Sequence, residues 1–369
     1  MMEWYAIKNT EVLDTPALVI YPDRVQNNIA ILKGFVGDVR QLRPHIKTSK
    51  SPEVVRIMLE AGITKFKCAT IAEAEMLALQ DAKNVLLAYQ PVGPNARRYC
   101  ELQKKFAETS FSCLIDNAES LRELSVLAGE YGEPVQVLID LNVGMNRTGI
   151  TPGKDALRLY REATRSAGIS FLGLHAYDGH LRDVDFAVRT QKCDAAFHDV
   201  QSLMQEISED MGKDPVVVAG GTPTFPIHAK RPGVETSPGT FIFWDKGYQQ
   251  ILPEQPFEFA ALVVTRIISK PNAESICIDL GHKSIAAENP ITQRVYFLNA
   301  PDLTPTGHSE EHMVFRTKEN ATFRVGDVLY GVPYHICPTV ALYEDARICR
   351  ENTITDTWPI LARKRKITI

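Results

Sequence analysis

Between about residue 40 and residue 245, short apolar runs alternate with stretches of helical period, and this alternation most narrows the folds open to the chain. Strand ends fall near Pro44, Cys68, Tyr89, Ile115, Leu141, Leu174, Ala219 and Phe241. Amphipathic stretches lie between them, among them Pro52–Ala61, Ala72–Leu79, Ala156–Ala167 and a long one from Asp183 to Met211. Eight strands, nearly all followed by a helix or helical turn, predict an α/β fold of the (β/α)8 TIM-barrel type. In such a barrel the chemistry sits on the loops that follow the strands' C-terminal ends.

The texture changes after Pro253-Glu254-Gln255-Pro256. Ala260–Ile268, Ser275–Leu280, Arg294–Leu298, Met313–Thr317, Val328–Val332 and Val340–Ile348 read as strands with turn residues between them and almost no helical period. Thr15–Tyr21 is a further strand-like run, followed by a helical pattern from Asp23 to Phe35, and is assigned outside the barrel. The 369 residues therefore divide into a barrel over 22–252 and a β-rich domain made of 1–21 plus 253–369.

Composition excludes several functions. The net charge of −4, from 41 basic and 45 acidic residues mixed throughout, offers no field for nucleic acid. No window approaches the roughly 18 apolar residues of a membrane span, and the start of the chain lacks a signal pattern. The seven cysteines are odd in number, widely spaced and mostly within apolar runs, which predicts reduced thiols and a cytoplasmic protein.

The barrel expectation gives individual residues a place. In Leu42-Arg43-Pro44-His45-Ile46-Lys47-Thr48, Lys47 falls at the first strand end, where partial desolvation would lower an amine's pKa and suit it to hold an aldehyde cofactor as a Schiff base. A solvated pair, Lys47 and Lys50, is the bland alternative. The fifth strand runs into Asn142–Gly149, where Arg147 offers a permanently charged donor to an anionic oxygen. The sixth ends in His175-Ala176-Tyr177, whose alternation aims His175 and Tyr177 to one side, so that Tyr177 can line a planar ring. Gly220-Gly221-Thr222 after the seventh strand and Gly239-Thr240 in the eighth region suit a phosphate cradle. An ion-paired arginine, a satisfied rim histidine and tyrosine, and ordinary turn glycines remain the alternatives.

In the β-rich domain, Tyr334-His335-Ile336-Cys337-Pro338-Thr339 places His335 and Cys337 two apart. On a strand they would share a face and offer an imidazole and a thiolate to one divalent metal. A buried thiol beside a strand histidine is the alternative.

Taken together, Arg43–Thr48, Arg147-Thr148-Gly149, Gly220–Thr224 and His335–Thr339 resemble the D-threonine aldolase / D-serine dehydratase family, over nearly the whole chain from Asp14 onward. The resemblance implies an alanine-racemase-like barrel with pyridoxal 5'-phosphate on Lys47 and a divalent metal, Zn or Mn, on His335 and Cys337. It implies a small D-amino acid substrate and is compatible with a homodimer. Family members often carry a histidine where this chain has Ser49. Two reactions share these parts: retro-aldol cleavage of D-threonine-like substrates to glycine and an aldehyde, and dehydration of D-serine or D-3-hydroxyaspartate to a 2-oxo acid and ammonia. His335-Ile336-Cys337 resembles the dehydratase version of the metal motif. An amino-acid racemase and a non-catalytic pyridoxal-phosphate carrier complete the alternatives.

Overall fold

The computed structural model describes residues 2–317 and 322–369. Met1 and residues 318–321, which the sequence reading assigns to the β-rich domain, lie outside the described residues. The chain forms two units, one made of Met1–Ile31, Thr48–Val54 and Thr240–Arg363, the other of Leu32–Lys47, Val55–Gly239 and Lys364–Ile369.

The first of these units holds β1 (Ala17–Ile20). The second carries seven strands: β2 (Lys65–Cys68), β3 (Asn84–Leu87), β4 (Ser110–Ile115), β5 (Val135–Leu141), β6 (Ile169–Ala176), β7 (Val216–Ala219) and β8 (Val234–Thr236). They pair in parallel and in chain order. The expected first strand is present in reduced form. Leu42 bridges Thr236 and His45 bridges Lys67, both in parallel. The Arg43 N–H donates to the Thr236 carbonyl and the Lys67 N–H to the Pro44 carbonyl, each at 2.9 Å. Pro44 has no N–H, so this segment makes bridges to both edges of the sheet rather than a ladder. Leu86, Leu114, Leu138 and Val218 pack together as one buried cluster of this unit.

Helices follow the strands where their caps permit. Thr70, Asn117 and Asp185 each accept a backbone N–H at the start of Ile71–Leu79, Ala118–Tyr131 and Phe186–Met211. One expectation is corrected at the last strand: it is Val234–Thr236, and the apolar run at Phe241 lies in a 3-10 turn, Thr240–Ile242. Phe241, Ile242 and Phe243 are all buried, and a short run apolar on every side does not distinguish strand from turn.

The other unit is a mostly antiparallel sheet. Its strands are β9 (Ala261–Asn272), β10 (Ser275–Ile278), β11 (Val295–Phe297), β12 (Thr304–His308), β13 (Met313–Arg316), β14 (Val328–Pro333), β15 (Asp345–Arg350) and β16 (Thr353–Pro359). β1 joins them, antiparallel to β9 and parallel to β15. Val263, Ile276, Met313, Phe315 and Leu329 form the core. β12 and β16 escape a hydrophobic reading because Thr304-Pro305-Thr306-Gly307-His308 and Thr353–Thr357 are polar and lie largely at the surface.

A second correction concerns the metal motif. β14 stops at Pro333, and Ile336–Val340 is a short helix with His335 at its N-cap, so His335 and Cys337 do not share a strand face. Pro338 favours this outcome, since it is tolerated in a helix's first turn and would cost a ladder bond in a strand. Likewise the run from Val340 becomes strand only at Asp345.

Candidate active site

Lys47 lies in the helical turn Ile46–Thr48 that follows the bridging segment, half-buried, its N–H bonded to His45 Nδ1 at 3.2 Å. Lys47 Nζ is 6.0 Å from the centroid of the Tyr177 ring, and Arg147 Cζ is 5.1 Å from the same centroid. Lys47 and Arg147 thus converge on the ring of a third residue named from sequence, Tyr177, at the strands' C-terminal ends. The turn after β7 belongs to the same place. Gly220 adopts φ +76°, and a Cβ on Gly221 would stand 2.8 Å from Tyr177 Cε2, so only glycine lets the backbone approach the ring this closely. The Gly239 N–H donates to Thr222 Oγ1 at 3.2 Å, tying the loops after β7 and β8 together.

Two hydroxyls that sequence reasoning missed stand at the end of β8. Thr236 Oγ1 and Ser237 Oγ are buried with no hydrogen-bond partner among the described residues. Buried donors without acceptors are costly, and a phosphate oxygen would satisfy them, so this end of the barrel fits the phosphorylated group that the glycine turn suggests.

Two buried His–Asp pairs also went unnamed. Asp140 Oδ1 lies 2.7 Å from His175 Nδ1, while His175 Nε2 faces the buried amine of Lys67 at 3.5 Å. Burial alone would raise the Asp140 carboxyl, but hydrogen bonds from His175, Thr148 and Gln90 outweigh it and hold it below the usual range. Burial depresses His175. Lys67 falls to about 7, chiefly through burial and next through the charge of Lys47. In the second pair, His228 Nε2 lies 2.8 Å from Asp178 Oδ2, and Thr224 Oγ1 donates to Asp178 Oδ1 at 2.5 Å. Thr224 Oγ1 in turn accepts the Gly221 N–H at 3.3 Å, so Asp178 supports the glycine turn from behind.

Asp178, Cys193 and His228 lie close enough to hold a metal by distance, their ligand atoms all within 4.8 Å of one another. Their hydrogen bonds use that capacity otherwise. Arg231 Nη1, which can only donate, meets His228 Nδ1 at 2.5 Å, so Nε2 carries the proton given to Asp178 and neither nitrogen keeps a lone pair for an ion. Burial, with Asp178 beside it, pushes the Cys193 thiol up to about 12. The cluster is a closed hydrogen-bond network.

The other unit holds the residues of the metal motif. His335 is half-exposed, with Nδ1 2.5 Å from Glu288 Oε1. Burial would lower this imidazole, but Cys337, Glu288 and Asp245 outweigh it and raise it to about 9. Cys337 Sγ lies 3.0 Å from Thr48 Oγ1 and 3.6 Å from Thr240 Oγ1. An imidazole oriented by a carboxylate, with a thiol against it, fits a divalent ion with open positions. Ser49 is buried in the adjoining Thr48–Val54 segment.

A family model described as the alanine racemase N-terminal domain matches residues 20–246. The chain belongs to this family. A model described as a putative serine dehydratase domain matches residues 260–349. The D-threonine aldolase of Arthrobacter sp. is 29% identical over 362 residues, covering 95% of this chain and 93% of the relative. The D-threo-3-hydroxyaspartate dehydratase of Delftia sp. is 24% identical over 371 residues, covering 94% and 97%. The crystal structure of the D-threonine aldolase of Filomicrobium marinum superposes with a TM-score of 0.88, at 24% identity over 98% of each chain, and shares the fold. The alanine racemase-like fold implies pyridoxal phosphate as cofactor. None of the seven cysteines forms a disulfide, and no helix among the described residues is long and apolar enough to cross a membrane.

Proposed function

We propose that the chain is a pyridoxal-phosphate-dependent, metal-assisted lyase of D-β-hydroxy-amino acids, with retro-aldol cleavage of D-threonine-like substrates as its leading reaction. The approach of Lys47 and Arg147 to the Tyr177 ring, which itself packs against Gly221, carries this reading. The domain division drawn from sequence, 22–252 for cofactor and 1–21 plus 253–369 for metal, belongs to the same proposal.

The cofactor, when bound, withdraws electrons from the substrate α-carbon so that bonds to it break. Lys47 would supply the amine that anchors it. Arg147 holds its ring oxygen, and Tyr177 lines its ring. Gly220, Gly221, Thr222, Gly239 and Thr240 hold its phosphate, with Thr236 and Ser237 supplying hydroxyls to the same group. His335 and Cys337 would hold a divalent metal, Zn or Mn, which would supply Lewis acidity toward a hydroxyl. Glu288 keeps the His335 ring oriented for it.

Dehydration is the second reading, favoured by the His335-Ile336-Cys337 pattern and by the dehydratase relative. Product analysis separates the two. D-Threonine should yield glycine and acetaldehyde, whereas a dehydratase would convert D-serine to pyruvate and ammonia. Both activities should disappear with a chelator while the cofactor's visible band stays. Chelator-insensitive interconversion of D- and L-amino acids would favour a racemase instead, and a retained cofactor without turnover a carrier. Borohydride reduction and peptide mapping should mark Lys47; a mark on Lys50 would refute the anchor assignment.

A further inference from the structure

Lys67 has no part in the lyase chemistry proposed so far, although the residue is only 2% exposed. Its strand neighbour Lys65, on the same side of β2, is satisfied by an ion pair with Glu235. Lys67 has no such carboxylate. Its hydrogen-bond partner among the described residues is His175 Nε2, at 3.5 Å, and its Nζ lies 5.6 Å from the centroid of the Tyr177 ring that Lys47 and Arg147 also approach. A buried amine costs stability unless a counter-charge offsets it, so a buried lysine beside the site whose hydrogen-bond partner is an imidazole is a candidate for a chemical role.

The groups behind it form a chain. His175 Nδ1–H donates to the ionised Asp140, which leaves the Nε2 lone pair facing Lys67. Gln90 Nε2 donates to Asp140 Oδ2 and Asp116 Oδ2, each at 2.9 Å, and Asp116 Oδ2 accepts the Gly149 N–H at 3.0 Å, which ties the chain to the Arg147 loop. Lys67 and His175 can therefore hold one proton between them. The charges facing Lys67 are Lys47 and Arg43, which disfavour its ammonium form, and Asp140 and Asp178, which favour it.

We propose that Lys67, backed by His175 and Asp140, is a second acid–base group of this site, distinct from Lys47, that delivers a proton to the substrate α-carbon. The role rests on the lyase reading. As the Cα–Cβ bond of a D-β-hydroxy-amino acid breaks, its electron pair stays on Cα and takes the Lys67 proton to form the new C–H bond of glycine. The β-hydroxyl loses its proton as its oxygen becomes the aldehyde carbonyl, and that proton recharges the Lys67–His175 pair, so protons and electrons balance.

Two measurements test this, one of them without cofactor. In the cofactor-free full chain, Lys67→Met should raise the melting temperature most at pH 6–7 and progressively less toward pH 10 and above, as the unfolded amine also begins to lose its proton. A difference independent of pH would overturn the buried titrating amine. In the loaded enzyme, the parent should exchange an α-hydrogen of glycine for deuterium in D2O, read by proton NMR. Lys67→Met and Lys67→Arg should slow that exchange at least a hundredfold while retaining the cofactor's visible band. Exchange preserved in Lys67→Arg would overturn the proposal, since arginine keeps the charge and cannot give up its proton. A parent that binds no cofactor or exchanges no glycine would overturn the lyase reading and the α-carbon role with it, and the cofactor-free melting curves would still decide whether Lys67 titrates.

Discussion

His175 and His228 are both buried and both held by an aspartate, yet their second nitrogens meet opposite company. His228 Nδ1 faces Arg231, a guanidinium that never deprotonates, so one tautomer is locked and the pair serves only to hold the turn through Asp178 and Thr224. His175 Nε2 faces Lys67, an amine that can be charged or neutral, so the proton between them can move. The same two residue types thus make a brace in one place and a proton store in another, and the third partner decides which. In the other unit a third histidine extends the series: His335 has Glu288 on one nitrogen and Cys337 as its neighbour, an arrangement that suits a metal ion.

The brace should be the most fragile. Asp178→Ala leaves His228, Thr224 and Cys193 without their shared carboxylate and should cost about 3–5 kcal/mol in urea unfolding, nearly constant from pH 6 to pH 9. A cost below about 1 kcal/mol would show that the network is not a brace. Asp178 also has its carboxyl held down in the folded state, where its hydrogen bonds from His228, Thr224 and Cys193 outweigh burial. Its contribution is therefore present above the unfolded carboxylate range and is lost as pH falls below about 4. The Ala variant should show a shallower acid limb.

Lys67 behaves with the opposite sign. Its folded pKa of about 7 lies below the ordinary lysine value, so between those values the unfolded chain binds more protons and stability rises with pH. Lys67→Met should therefore gain about 1–3 kcal/mol at pH 6, after loss of its hydrogen bond, and clearly less at pH 10, where the unfolded amine also begins to lose its proton. Chemical denaturation at the two pH values measures both. Next in size, Gly221→Ala forces a methyl against Tyr177 and should weaken cofactor retention about tenfold, which is about 1.4 kcal/mol by equilibrium dialysis. Unchanged retention would separate this turn from the cofactor. Smallest is His335→Gln, which should alter thermal stability by less than about 0.5 kcal/mol because the side chain is half-exposed, while removing chelator-sensitive turnover. Turnover at the parent rate would detach this histidine from the chemistry.

Periodicity alone determined much of this protein. Alternating apolar runs and helical stretches specify parallel strands joined by helices, because strands buried on both faces must be apolar and their crossovers amphipathic. Local order also brings Lys47, Arg147, Tyr177 and the Gly220–Thr222 turn to successive strand ends, where a barrel gathers them whatever its details. Tertiary structure decided what depends on partners distant in sequence. Whether His335 and Cys337 sit on a strand turned on a helix start that the i, i+2 spacing could not reveal. Thr240 Oγ1 meets Cys337 Sγ, 97 residues away, which no spacing foretold. Lys67 and His175 are 108 residues apart, and in sequence Lys67 is one more charge in Lys65-Phe66-Lys67. Its neighbours, not its spacing, remove it from water and set an imidazole rather than a carboxylate against its amine, because proton affinity is a property of surroundings that only the folded chain assembles.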